Sequence, residues 1–239
     1  MKIEVLADAD AVAQAAAAII AAEARAAVAA RGIFIVAASG GHTPQQMLRV
    51  LAREDVPWDG LHVVQVDERI APLGHPDRNL TLLREALLKH APLREEQIHA
   101  MPVESPDLHV AAARYGQELS EIAGSPPTLD LVHLGLGPDG HTASLVPGDP
   151  VLAVSDADVA LTGVYQGRQR MTLTYPILNR SRRILWIVTG REKVEMLARL
   201  RAGDLSIPAG RVNRYQARVL ADCAAAGQPD PAAVKEVLS

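Results

Sequence analysis

The sequence predicts an α/β fold: a single domain built on a mostly parallel, doubly wound sheet, with helices on both faces and a small antiparallel addition. Three observations lead there. Short runs rich in β-branched and apolar residues alternate with longer helical patterns along the chain. The runs at 33–37, 129–134 and 184–189 are almost continuously apolar, as strands covered on both faces are. Several of these runs open directly into polar, glycine-bearing loops, the place where open α/β sheets carry their chemistry.

In chain order, residues 3–6 read as a first short strand. Asp8 and Asp10 are both candidate caps for the alanine-rich helix that follows, and glycine at 32 is a natural stop for it. Residues 33–37 form a central strand, opening into Ser39-Gly40-Gly41-His42-Thr43-Pro44. A helix is expected from Pro44 to about Arg53, with proline in its permitted first turn. The strand at 62–66 ends at Asp67-Glu68-Arg69, and a proline-marked loop leads to a helix from about Asn79 to Lys89. A short strand at 98–101 and a helix at 107–123 precede the strand at 129–134. Residues 157–164 and 170–174 read as the antiparallel addition. The strand at 184–189 passes through Gly190 into a helix from about Arg191 to Arg201, and Val219-Leu220 is a last strand. No repeat, linker or low-complexity stretch divides the chain, so 1–239 is read as one domain.

Composition narrows the function. Apolar residues make up 49% and charged residues 22%, a globular balance rather than a disordered one. The 24 basic and 28 acidic side chains give a net charge of −4, which argues against a nucleic-acid binder but leaves room for a local basic pocket. A single cysteine, Cys223, permits no intrachain disulfide and points to a reducing compartment, the cytoplasm. Acids stand where a signal peptide would have its apolar core. Alanine is expected to be too weakly apolar for residues 11–30 to span a bilayer. The remaining histidines show no metal-ligand spacing, and there is no nucleophile elbow of the G-x-S-x-G kind.

The loop after residues 129–134 holds the strongest candidate. In Gly135-Leu136-Gly137-Pro138-Asp139-Gly140-His141, breakers surround a histidine, the side chain suited to trading protons near neutral pH. The loop at 39–44 reads either as a capped turn or as a backbone cradle for an anion at a helix N-terminus. Asp67-Glu68-Arg69 reads either as a solvated turn or as a site. In the second case Arg69 is a fixed cation for a carbonyl oxygen or phosphate, and Asp67 an acceptor or base. Lys193 lies in a first helical turn, where the dipole disfavours a cation unless an anion is near. Arg168 and Arg170 precede a strand and are ambiguous alone.

Taken together, these segments resemble the 6-phosphogluconolactonase family. The matching segments are Ser39-Gly40-Gly41-x-Thr43-Pro44 and Asp67-Glu68-Arg69 with Asn79. They continue through 135–148, the stretch Arg170-Met171-Thr172-Leu173-Thr174-Tyr175-Pro176-Ile177-Leu178-Asn179, and Thr189-Gly190-x-x-Lys193. The order agrees, and the likeness covers nearly the whole chain. His42 stands where that family usually has serine, and Val146 where it usually has phenylalanine. The related glucosamine-6-phosphate deaminase family shares the glycine loop and the Asp-Gly-His element. It typically has tyrosine where Arg69 stands and Ile-Ala-Phe-Asn-Glu-Pro where this chain has Thr-Ala-Ser-Leu-Val-Pro. A non-catalytic sugar-phosphate sensor would need a DNA-binding segment that has no room here.

The resemblance implies hydrolysis of 6-phospho-D-glucono-1,5-lactone to 6-phosphogluconate, a step of the oxidative pentose phosphate pathway. It implies His141 as general base and then acid, Arg69 as oxyanion stabiliser, and Asp67 as a partner orienting His141 or the water. Gly40, Gly41, Thr43, Asn79, Arg170 and Lys193 are the implied substrate-binding residues. No organic cofactor, metal, nucleic acid or membrane is called for; the ligand is a phosphorylated sugar lactone.

Overall fold

The computed structural model describes residues 1–229. Its first half runs β1 (Lys2–Leu6), α1 (Ala9–Arg31), β2 (Phe34–Ala38), α2 (His42–Leu51), β3 (Leu61–Gln65), β4 (Asp67–Arg69), α3 (Asn79–Leu83), β5 (Ile98–His99) and α4 (Leu108–Ala123). Its second half runs β6 (Leu131–Gly135), β7 (Val159–Leu161), β8 (Arg170–Leu173), α5 (Tyr175–Arg180), β9 (Ile184–Val188), α6 (Val194–Ala202) and β10 (Ala217–Asp222). Seven strands pair in parallel in the order β1-β10-β9-β6-β2-β3-β5. A second, antiparallel sheet has the order β4-β8-β7. The doubly wound α/β sheet with its small antiparallel addition is therefore the fold.

Alternation along the strands separates two cores. Phe34, Val36 and Ala38 of β2 join one cluster, with α1, α2 and α3. Ile35 and Ala37 join the other, which holds α4, the antiparallel sheet, α5 and α6. Successive strand side chains point to opposite faces, so a strand buried on both sides must be apolar throughout. Asp8 supplies the cap of α1, accepting from Ala11 N at 2.8 Å, and Gly32 closes the helix with φ 76°. Length and composition alone would let α1 cross a bilayer. Its stripe from Val12 to Ala27 is instead buried on the sheet.

Three expectations are corrected. The helix expected from Pro44 starts two residues earlier, at His42, with Gly41 as its cap residue. The first four helical N–H groups have no intrahelical partner, so proline is tolerated at the third position as well as the first. Asp67-Glu68-Arg69 is not a loop but a strand, paired with β8 from Asp67↔Thr172 to Arg69↔Arg170. The six-residue helix α5 has no counterpart in the expected elements.

The chain order places the site. From β2 the chain proceeds outward to β3 and β5, whereas from β6 it proceeds the opposite way, to β9 and β10. The crevice beyond the C-terminal ends of β2 and β6 is the topological switch point of the sheet. His133 of β6 ties its two walls together. Its Nδ1 accepts from Ser39 N at 3.3 Å, and its carbonyl accepts from Ser39 Oγ at 2.7 Å.

His133 is completely buried, and burial pushes its imidazole down to about 4. The unfolded chain takes up this proton near pH 6.5, whereas the folded chain resists it until about 4. The stability that depends on a neutral His133 is therefore intact above pH 6.5 and lost as pH falls toward 4, by about 3 kcal/mol. Urea unfolding at a series of pH values checks this. His133→Gln should flatten the stability slope across that window; an unchanged slope would assign the acid loss to other groups.

Candidate active site

At the switch point lies a cleft of about 190 Å³ lined by Gly40, Asp67, Arg69, Asn79, His141, Arg170 and Lys193, with Ser39, Ala143 and the 135–138 backbone completing its wall. Seven of the nine residues singled out from the sequence thus meet in one place. Gly41 borders an adjoining crevice with Pro44 and Gln45. Thr43 lies outside the cleft and shares a hydrogen bond with Thr189 (Oγ1 to Oγ1, 2.9 Å), joining the first turn of α2 to the loop after β9. The His42 side chain lies outside what the structure describes.

His141 owes its position to a tight turn. Gly137 N donates to His141 O at 2.8 Å, Gly140 N donates to Gly137 O at 3.0 Å, and Gly140 has φ 83°, a conformation glycine accepts freely. Asp139 Oδ1 lies 2.6 Å from His141 Nδ1 and also accepts from His141 N at 3.1 Å. Burial acts to raise the Asp139 carboxyl. The His141 amide and ring and the Tyr165 hydroxyl outweigh it and hold the group below the usual carboxylate range. An ionised carboxylate only accepts hydrogen bonds, so Nδ1 carries the proton and Nε2 is left as the basic nitrogen.

The partner expected for His141 is therefore corrected: it is Asp139, not Asp67. The Asp67 carboxylate accepts from Ser144 Oγ at 2.5 Å and from Asn79 Nδ2 at 3.2 Å. Burial raises the Asp67 carboxyl, against the opposing pull of Ser144, Arg69 and Arg170.

The antiparallel sheet supplies the positive charge. Arg69 and Arg170 are directly opposite each other across β4 and β8, and both reach the cleft. Like charges at such a position repel. Burial draws the Arg170 guanidinium below its ordinary value, and Arg69 adds to the effect while Asp67 offsets it in part. Two adjacent guanidiniums at the floor of a cleft favour an anion there. Lys193 adds a third cation from the turn after β9. That turn is held by Gly190 N, which donates to Asp222 Oδ1 at 3.1 Å. Among the described residues, no three His, Cys, Asp or Glu side chains gather into a metal-holding group.

Glu68 anchors this floor from beneath. It is completely buried and accepts from Arg69 N and Asn79 N at 2.7 Å each, and from Leu80 N at 2.8 Å. Arg78 Nε lies 3.0 Å from it. Arg78, the residue at the cap position of α3, provides no side-chain cap, so the Glu68 carboxylate satisfies the free amides of that helix.

Four contributors were missed in the sequence: Asp139, Ser144, Glu68 and Tyr165. Asp139 carried a readable signal, an acid two residues before the histidine with glycine between. Tyr165 carried none. Its hydroxyl lies 3.1 Å from Asp139 Oδ2, its ring meets His141 edge-on at 5.5 Å, and Arg170 lies over that ring at 5.0 Å.

Gly137 is required for a steric reason. A Cβ there would stand 2.1 Å from His141 Nδ1 and 2.3 Å from Cε1. Gly137→Ala must swing the imidazole off Asp139, and misplacing a catalytic group by about 1 Å costs roughly 100-fold in rate. The expected result is that loss in kcat with an unchanged circular dichroism spectrum. Near-normal kcat would show that the ring position is not critical.

The chain's residues 7–221 match the family model described as glucosamine-6-phosphate isomerases/6-phosphogluconolactonase. A 6-phosphogluconolactonase of Synechocystis sp. is 38% identical over 198 residues, covering 81% of this chain and 80% of that one. The solved 6-phosphogluconolactonase of Thermotoga maritima superposes with a TM-score of 0.82 at 27% identity, over 92% of this chain and 98% of that one. A monomeric glucosamine-6-phosphate deaminase shares the fold alone, with a TM-score of 0.84 at 19% identity over 96% of this chain and all of the other. With the match spanning nearly the whole described chain, the protein belongs to the glucosamine-6-phosphate isomerase/6-phosphogluconolactonase family.

Proposed function

We propose that the protein is a 6-phosphogluconolactonase, hydrolysing 6-phospho-D-glucono-1,5-lactone to 6-phosphogluconate in the oxidative pentose phosphate pathway. The observation that carries this reading is the cleft itself, where His141, held by Asp139, shares a wall with the paired Arg69 and Arg170. A base beside fixed cations suits attack of water on a carbonyl of an anionic ester.

His141 Nε2 takes a proton from water as its oxygen bonds to the lactone carbonyl carbon. Negative charge gathers on the carbonyl oxygen, and Arg69 stabilises it. Collapse of this adduct breaks the bond to the ring oxygen, which receives the proton from His141. Arg170 and Lys193 hold the phosphate, with Gly40 allowing close approach of backbone and Asn79, whose amide donates to Asp67, shaping the cleft wall beside it. A Cβ on Gly40 would stand 1.9 Å from Asn79 Oδ1, so any side chain at position 40 would displace Asn79. Asp67 gives the arginine pair a neighbouring carboxylate and fixes Asn79. A deaminase would carry glutamate at the position of Val146, which is buried here. The cytoplasm is the compartment we assign, on the strength of the lone, unpaired Cys223.

Lactone opening tests the reading. Purified protein should accelerate opening of 6-phosphogluconolactone over its spontaneous rate, and should act far less on gluconolactone without the phosphate. Equal acceleration of both would remove the phosphate role of Arg170 and Lys193. No acceleration of either would remove the lactonase reading.

A further inference from the structure

We propose that Tyr165 is a positioning residue for the His141–Asp139 pair, a role that rests on the lactone-hydrolysis reading. Tyr165 lies in the hairpin between β7 and β8, remote in sequence from the histidine loop. The hairpin turn is tight: Tyr165 N donates to Arg168 O at 2.9 Å, and Arg168 N donates to Tyr165 O at 3.2 Å. Gln166 and Gly167 between them have φ 51° and 78°, the signature of the two-residue turn that matches strand twist. Arg168 Nε then donates to Asp77 Oδ2 at 2.9 Å, fastening the tip to the loop ahead of α3. The tyrosine is therefore delivered by a rigid element rather than a mobile loop.

Its three contacts converge on the reacting groups. The hydroxyl donates to Asp139 Oδ2 at 3.1 Å, while Asp139 Oδ1 holds His141 Nδ1 at 2.6 Å. The carboxylate is thus gripped at both oxygens, which fixes its plane and, through it, the imidazole. The ring edge-on to His141, at 67°, blocks rotation of the imidazole toward the hairpin. The same ring lies under the Arg170 guanidinium, at 5.0 Å, and so joins the base and the anion-binding cation through one side chain. The hydroxyl also has an electrostatic effect. By taking part of the Asp139 charge, it limits how strongly that carboxylate stabilises protonated His141, which must give its proton up again.

Tyr165→Phe in the full chain separates hydroxyl from ring. The expected result is a fall in kcat of about tenfold, since a hydrogen bond to a charged group is lost, with KM within about twofold. The acid limb of the kcat/KM profile should move to higher pH, because Asp139 now acts undivided on His141. The other ionisable groups at the cleft, Asp67, Arg69, Arg170 and Lys193, are the same in both proteins, so the shift reports the hydroxyl. In ligand-free protein, the proton NMR signal of His141 Nδ1–H should move downfield as its bond to Asp139 strengthens. Tyr165→Ala, which also removes the ring from Arg170, should add a rise in KM. Wild-type kcat, acid limb and Nδ1–H signal in Tyr165→Phe would overturn the proposal. Absence of lactonase activity in the wild-type protein would instead overturn the underlying reading, and the NMR signal would still decide whether Tyr165 acts on His141 through Asp139.

Discussion

His141→Ala lowers kcat by about 10²–10⁴-fold, the range that positioned general acid–base groups supply, and leaves KM within a few-fold. The split follows from the site's construction. Arg69, Arg170 and Lys193 come from β4, β8 and the turn after β9, while His141 stands on the loop after β6. Removing the imidazole takes nothing from the side chains that hold the anion. Asp139→Asn tests the same unit from its other end. An amide at that position can present a donor to Nδ1, favouring the tautomer with the proton on Nε2, and the ring then loses its function as a base. Steady-state kinetics on both variants checks the account. If His141→Ala kept wild-type kcat, the base would have to be sought elsewhere in the cleft.

Glu68→Gln destabilises the protein by about 3–5 kcal/mol, the usual cost of breaking a buried ion pair from one side. Arg78 is 2% exposed and Glu68 0% exposed, so neither charge can turn to solvent when its partner goes. The amide also brings donors to a position already facing three backbone N–H groups, those of Arg69, Asn79 and Leu80. Arg78 keeps the Ala71 carbonyl at 2.8 Å and Glu104 at 3.3 Å, which places the loss toward the lower end of that range. For a chain of this length the thermal midpoint should fall by about 10 °C. Chemical denaturation measures it directly, and a loss under about 1 kcal/mol would show that the buried pair is dispensable. Because Asn79 is seated by Glu68, the folded fraction of the variant should also bind substrate more weakly.

The fold was legible wherever burial on both faces imposed continuous apolar runs. β2, β6 and β9 stand close to their expected places for that reason, and Asp8 and Gly32 marked the ends of α1. It was illegible where an element is short and polar. β4 has three charged residues and no apolar period, and is a strand only because β8 lies beside it. That same pairing sets Arg69 against Arg170, a juxtaposition created by tertiary structure across 100 residues of chain. The histidine loop was readable because its chemistry is local, and Asp139 could have been found from its spacing to His141. The strand end offered Asp67 only as an acceptor or base, and the family resemblance made it a partner of His141 or the water; only the fold shows its carboxylate taken by Ser144 and Asn79. Tyr165 reaches Asp139 through a hairpin turn, and no local pattern announces that.

Two substrates offered side by side separate lactone hydrolysis from deamination. One reaction holds 6-phosphogluconolactone generated in situ, with 6-phosphogluconate followed by its NADP-dependent dehydrogenase against the spontaneous rate. The other holds glucosamine 6-phosphate and is followed for ammonia. Lactone opening should accelerate and no ammonia should appear, as the lactonase reading requires. Ammonia release without lactone opening would contradict it, and would mean that the Arg69–Arg170 floor and the His141–Asp139 pair serve the deaminase chemistry of the same family.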